Sequence, residues 1–260
     1  MKTPVTGNIN AELLQAARPQ MTQRLLELLN IRRSEKMPNE QNKSIICPIY
    51  KKGRKSEYSN YKGISLLNTA YKILATAINT RLKTFAEDLL SREHNGFRRN
   101  RSTTDNIFIM RQILEKCYEY NIEMHVLFID FKQDFDSADR QKTIQILQEL
   151  RIPNKLVRLI KMTIQNTEAS VKMENLTSNP LPVSSGVRQS DPLSATMFNL
   201  ILDPVIKKLN LRGDVSLKLK QIVAYADNVA LLATSLKALK EIFHKLKNEA
   251  TLVELSINED

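Results

Sequence analysis

The chain has 260 residues, 42% of them hydrophobic, enough to bury a sizeable core in one or two subdomains. Lys and Arg number 39 against 28 Asp and Glu, and the net charge of +11 favours a polyanionic partner such as nucleic acid. Two cysteines, Cys47 and Cys117, are too few for a disulfide scaffold and lack zinc-ligand spacing. Met1-Lys-Thr-Pro-Val-Thr6 has no apolar secretory core, and no apolar run approaches membrane-spanning length, so the expected chain is soluble and intracellular, in cytoplasm or nucleus.

In chain order, 11–17 and 22–30 predict helices that end at Met37-Pro-Asn39. Ser44–Tyr50 predicts a short strand, and Pro48 argues for an edge position. It runs into Lys51-Lys-Gly-Arg-Lys55, which is either a solvated loop or a turn gripping phosphates. After Tyr61–Ser65 comes the longest helix, with Leu67, Tyr71, Leu74, Ile78, Leu82, Phe85 and Leu89 on one stripe and Asn68 or Thr69 as cap. Ser91–Arg101 is a loop holding four arginines, one glycine and His94, a lone histidine with no ligand spacing around it. Thr103–Asp105 opens a helix whose expected inner face is Ile107, Met110, Leu114 and Cys117.

Val126–Asp130 is an apolar strand that ends on a carboxylate, followed by a helical run through Ile144, Leu147 and Leu150, for which Asp136 or Ser137 fits as N-cap. Pro153 to Ile164 predicts a further helix, 171–173 and 181–183 short strands, and Ser190 or Asp191 the cap of a helix facing inward at Leu193, Met197, Leu200 and Ile201. Ile222–Tyr225 and Val229–Ala233 predict a buried hairpin turning at Ala226-Asp227, and 236–252 a closing amphipathic helix. An Asp-Asn pair in a tight turn has an ordinary structural explanation. Two apolar strands that each deliver an Asp at an end also make a site for hard divalent cations.

The ordered set Ser44-Ile-Ile-Cys-Pro-Ile-Tyr-Lys-Lys-Gly53, Asn60-Tyr-Lys-Gly-Ile-Ser-Leu-Leu-Asn-Thr-Ala-Tyr-Lys-Ile-Leu74, Asn95-Gly-Phe-Arg-Arg-Asn-Arg-Ser-Thr-Thr-Asp105, Phe128-Ile-Asp-Phe-Lys-Gln-Asp-Phe-Asp-Ser137, Gly186-Val-Arg-Gln189 and Tyr225-Ala-Asp-Asn228 resembles the reverse transcriptase domain of non-LTR retrotransposons, over about residues 40–260. The resemblance implies an α+β fold of right-hand fingers and palm, with a small antiparallel palm sheet backed by helices. Its division would be an N-terminal helical segment (1–42), fingers (43–124) and palm (125–260), with 150–185 interleaved as fingers. It implies an RNA-directed DNA polymerase, a nucleotidyltransferase using two Mg²⁺, with Mn²⁺ as substitute. An RNA template, a DNA primer and deoxynucleoside triphosphates would be its partners, with no membrane. Asp130 and Asp227 match the metal ligands, and Asn228 stands beside them in the catalytic tetrad. Phe135 matches the aromatic residue under the incoming sugar, Gln189 a nucleotide contact, and Lys51, Lys62 and Arg98 fingers cations near triphosphate or template.

The departures weaken that expectation. Asn228 occupies the last place of a tetrad that is normally Tyr-Ala-Asp-Asp, so two carboxylates stand where three are expected. Asp134 replaces a usual Ala, where it would either restore part of the missing charge or crowd the site, and Ser190-Asp191 a usual Gly-Cys, where a side chain would obstruct nucleotide or template. The sequence ends before the family's Lys-containing motif, and a thumb, endonuclease or DNA-binding tail does not fit in what is present. A nucleic-acid-binding remnant without chemistry, or a decayed element copy, are the competing readings.

Overall fold

The computed structural model describes residues 35–131, 139–186, 188, 190–209 and 222–258, with Ala16, Gln23, Leu26 and Glu27. The expected helices over 11–17 and 22–30 lie mostly outside these residues, as do Asp134, Asp136 and Ser137. In order the first elements are β1 (Lys43–Tyr50), β2 (Tyr61–Leu67), α1 (Thr69–Leu89), α2 (Thr103–Glu119), β3 (His125–Asp130), α3 (Arg140–Glu149) and α4 (Asn154–Ile164). Then follow β4 (Thr167–Met173), β5 (Leu176–Thr177), β6 (Leu181–Val183), α5 (Ser194–Lys208), β7 (Ile222–Tyr225), β8 (Asn228–Ala233) and α6 (Leu236–Leu252). Among the described residues no helix is long and apolar enough to cross a membrane.

The chain forms two compact units, both discontinuous: Met1–Leu82 with Leu147–Ser194, and Lys83–Ile146 with Ala195–Asp260. Residues 83–124 fall in the second unit and residues 147–194 in the first.

In the first unit β1 pairs antiparallel with β2, from Ser44↔Leu67 to Tyr50↔Tyr61, and parallel with β4, from Lys43↔Glu168 to Ile46↔Val171. Thus β1 is an inner strand over 43–46, a correction to the edge position expected for it. From Cys47 onward β2 alone flanks it among the described residues, and Pro48 sits there, where its missing N–H costs no ladder bond. Strand β2 itself was not foreseen. Leu67, expected to open the α1 stripe, is buried at the end of β2 instead; the stripe is buried at Tyr71, Leu74, Ile78 and Leu82 and then steps to Ala86, and to Leu90 just past the helix, leaving Phe85 39% exposed instead of inward. Asn68 caps the helix, its Oδ1 accepting from the Ala70 N–H at 2.8 Å.

A buried polar pin joins the start of α1 to the turn before α5. The Tyr71 hydroxyl donates to the Asp191 carboxylate, and the Arg188 guanidinium lies 4.6 Å over the Tyr71 ring while donating to the carbonyls of Gln41 (3.0 Å) and Asn42 (2.7 Å). Asp191 also caps the helical turn, accepting from the Leu193 N–H at 2.9 Å. Burial pushes the Asp191 carboxyl up, against the Tyr71 hydroxyl, the Leu193 amide and the Arg188 charge, which favour its ionised form.

In the second unit β3, β8 and β7 form an antiparallel sheet in that order. Period-2 alternation sends Ile129, Phe131, Val229, Leu231, Ile222 and Ala224 to one core, against α5 and α6. Val223, Ala230 and Leu232 go to the other face, against Ile113 and Cys117 of α2. That inner face of α2 corrects the expected one: Ile107 is 67% and Leu114 45% exposed. Helix α3 is capped by Asp139, whose Oδ1 accepts from Gln141 N–H (2.6 Å) and Lys142 N–H (2.8 Å), in place of the expected Asp136 or Ser137. Helix α5 runs on through Pro204.

His94 is fully buried in this unit, and burial pushes its imidazole down to about 4. The Asp203 charge and the Asn199 side chain act upward, and the Arg98 charge adds to the depression. The neutral ring is the folded form, so its contribution is complete above the unfolded value of about 6.5 and is lost as pH falls towards 4. Going from pH 7 to pH 5, urea denaturation should show this group removing about 2 kcal/mol of stability. His94→Gln should abolish that increment, and an unchanged pH slope in the variant would count against it. In the first unit, Tyr71→Phe should lower the urea midpoint by the equivalent of about 2 kcal/mol with the slope unaltered, because a buried carboxylate loses a donor.

Candidate active site

The β7–β8 hairpin forms where the sequence places it, with Tyr225 paired to Asn228 and a two-residue turn at Ala226-Asp227. Strand β3 lies on the other side of β8 in a register that sets Asp130 across from Asn228. One step further the Phe131 N–H donates to the Asp227 carbonyl at 3.1 Å, so the ends of β3 and of the turn are tied together. Alternation puts Phe128 and Asp130 of β3, Asn228 and Ala230 of β8, and Val223 and Tyr225 of β7 on the same face. Helix α2 covers that face at Val126 and Leu232 but not at its acidic end, where Phe128 is 76% exposed. An apolar groove bounded by Ile107, Met110, Leu114, Phe128 and Val223 opens there beside Asp130 and Asn228.

Asp130 is exposed, Asp227 half-buried and Asn228 exposed. The Asn228 amide donates to Asp227 Oδ1 at 3.0 Å. The nitrogen end of that amide thus faces the neighbouring carboxylate and takes up one of its acceptor positions. Asp130 is held from the far end of the chain: the Asn258 N–H donates to its carbonyl at 2.8 Å and the Asn258 amide reaches its Oδ2 at 3.4 Å, next to a Phe131↔Ile257 bridge. Sequence reasoning missed Asn258, because a single Asn beyond a helix carries no spacing signal. Two carboxylate groups on adjoining strand ends fit a hard cation. Among the described residues no cluster of three or more His, Cys, Asp or Glu is set to hold a metal.

The other expected residues fall in different places. Phe135 and Gln189 lie outside the described residues, as does Asp134. Lys51 and Lys62 are exposed on the β1–β2 hairpin of the first unit, where the intervening loop is braced by Tyr50 OH to Gly53 O (2.6 Å), Asn60 Nδ2 to Arg54 O (2.9 Å) and Tyr61 OH to Lys55 O (2.8 Å). Gly53 has φ 97°, a left-handed conformation that glycine supplies at no steric cost. Arg98 is committed within the second unit: its guanidinium pairs with Glu87 at 3.0 Å and donates to the carbonyls of Ser91 (2.8 Å) and His94 (3.0 Å). The Asp191 side chain is 7% exposed and turned into the first unit's core, onto the Tyr71 hydroxyl. Ser190 is exposed with φ 73°, in the region that favours the glycine usual in the resembled family.

Known proteins resemble this chain in sequence and in fold. Residues 49–260 match the family profile described as reverse transcriptase (RNA-dependent DNA polymerase). The chain is 30% identical over 206 residues to an uncharacterized 149 kDa protein of transposon TX1 from Xenopus laevis, covering 77% of this chain and 16% of that protein. It is 24% identical to a retrovirus-related Pol polyprotein of the type-2 retrotransposable element R2DM from Drosophila melanogaster, over 72% of this chain and 17% of the other. The chain thus spans roughly a sixth of the length of those relatives. Among solved structures it is similar to apo telomerase from Candida tropicalis, truncated from its C-terminal domain, with TM-score 0.66, 12% identity, and 92% of this chain and 54% of that one covered. Telomerase from Candida albicans in complex with a fragment of telomeric RNA gives TM-score 0.63 at 11% identity over 93% of this chain and 45% of that one.

Proposed function

The chain belongs to the reverse transcriptase (RNA-dependent DNA polymerase) family, with non-LTR retrotransposon proteins among its relatives, and from that premise we propose that its second unit carries the metal-holding end of a site that adds deoxynucleotides to a primer on an RNA template, weakened by Asn228. The observation that carries this reading is the register of β3 on β8, which brings Asp130 to the turn bearing Asp227. Mg²⁺ held there, or Mn²⁺ in its place, would lower the cost of charge developing on the attacking and leaving oxygens. Asp130 and Asp227 are the residues that would hold it.

The chain's own part is positional. Asp130 and Asp227 present carboxylates from a rigid sheet. Phe128 and Tyr225 supply apolar surface beside them. Lys51 and Lys62 offer cations for phosphate on a braced hairpin. Phe135 under the incoming sugar and Gln189 against the nucleotide rest on the resemblance alone, and Arg98 is better assigned to holding its own loop. RNA binding is supported by the similarity to a telomerase solved with telomeric RNA and by the net charge of +11. An intracellular site of action, in cytoplasm or nucleus, goes with those partners.

Asn228 favours a second reading, a nucleic-acid-binding remnant. Its amide donates to Asp227 where a carboxylate would add a third negative charge, leaving two to offset the four positive charges of two divalent ions. Primer extension on an RNA template with Mg²⁺ separates the readings. Asn228→Asp should extend at least about a hundredfold faster than the native chain, the scale of one well-placed transition-state stabiliser, with Asp227→Ala as blank. An Asn228→Asp chain no faster than the blank refutes the catalytic assignment, and salt-dependent RNA binding retained in all three then identifies a remnant.

A further inference from the structure

The turn bearing Asp227 is clamped by residues of the 93–96 segment, of α5 and of α2. The segment Glu93–Asn95 lies along β7: the Ala224 N–H donates to the Glu93 carbonyl at 2.9 Å, and the Asn95 N–H donates to the Ala224 carbonyl at 2.9 Å. Gly96 then meets the turn itself. A Cβ on it would stand 2.2 Å from the Ala226 nitrogen and 2.9 Å from the Tyr225 carbonyl carbon, distances at which backbone must move. Asn199, on α5 and 1% exposed, donates its side-chain amide to the Gly96 carbonyl at 2.6 Å. Asn106, on α2, accepts from the Asn95 side-chain amide and donates to the Ala224 carbonyl at 3.3 Å.

What the clamp holds is strained. Ala226 has φ 55°, a left-handed conformation that is unfavourable for an alanine. A residue stays in such a well only when its surroundings over-determine it. Two helices and an added strand segment converge on this one turn, and the carboxylate it carries is the one the proposed chemistry needs.

We propose that Asn199 is a positioning residue for nucleotide transfer: through the Gly96 carbonyl it fixes the Ala226-Asp227 turn and thereby sets where the Asp227 carboxylate stands against Asp130. This rests on the reading of Asp130 and Asp227 as the metal-holding pair. A side chain that only stabilised the fold would cost melting temperature without touching metal affinity. A positioning residue changes the affinity of a chain that is still folded, and supporting residues behind metal ligands typically matter 10–100-fold.

The test is Mn²⁺ binding followed by loss of the free-ion electron paramagnetic resonance signal, on the Asn228→Asp chain as parent, well below every melting temperature. Asn199→Ala should raise the Mn²⁺ midpoint about tenfold. Leu239→Ala, a core truncation in α6 remote from the turn, should lower the melting temperature while keeping the midpoint within about twofold of the parent. Asn106→Ala, half-exposed and so less costly to fold, should raise the midpoint at least about threefold, and stands in if Asn199→Ala does not fold. An unmoved midpoint in the folded Asn199 variant, or in Asn106→Ala when that one stands in, overturns the proposal alone. So does an equal shift in Leu239→Ala. A parent that binds Mn²⁺ no better than its Asp227→Ala derivative overturns the metal reading, and this proposal with it.

Discussion

The antiparallel register between β3 and β8 is the constraint on which the site depends. Because side chains alternate with a period of two, a slip of one residue would send Asp130 to the core face and bring Ile129 to the open one. The register is fixed from both faces: Ile129 and Phe131 are buried against α5 and α6, and Val126 packs with Ala230 and Leu232 towards α2. Six paired positions from His125↔Ala233 to Asp130↔Asn228 leave the carboxylates no alternative address. Where the two carboxylates stand is thus a by-product of hydrophobic packing several residues away from them.

This separation lets one chain keep its scaffold while an amide stands in the last place of the tetrad. Asn228 is exposed, and exchanging a carboxylate for an amide there removes charge without opening a cavity. Asp191 shows the opposite accommodation. A carboxylate buried at 7% exposure is tolerable because Tyr71, Arg188 and the Leu193 amide surround it.

Local patterns were legible in the sequence and distant pairings were not. The hairpin through Tyr225-Ala-Asp-Asn228, the α1 stripe as far as Leu82 and the α6 helix came through because apolar period and cap residues lie within a few positions of each other. Strand β2 was missed because Tyr61-Lys-Gly-Ile-Ser65 has no clean alternation and owes its conformation to β1. The exposed Ile107 and Leu114 of α2 look like core residues in the sequence; which stripe is buried depends on where β7 and β8 arrive. At the site, Asp130 and Asp227 were identifiable as strand-end carboxylates. Asn258 and the Gly96 contact to Ala226 were not, since both are meetings of residues more than a hundred positions apart.

The interleaving of the two units bears on how the protein is made. Strand β1 takes its parallel partner β4 from residues synthesised only after the whole of Lys83–Ile146, and β3 waits for β8 in the same way. Neither unit can close while the chain is half translated. The apolar strands Lys43–Tyr50 and His125–Asp130 therefore leave the ribosome with an open hydrogen-bonding edge and no native neighbour on it, the state in which nascent chains recruit chaperones or pair with the wrong strand.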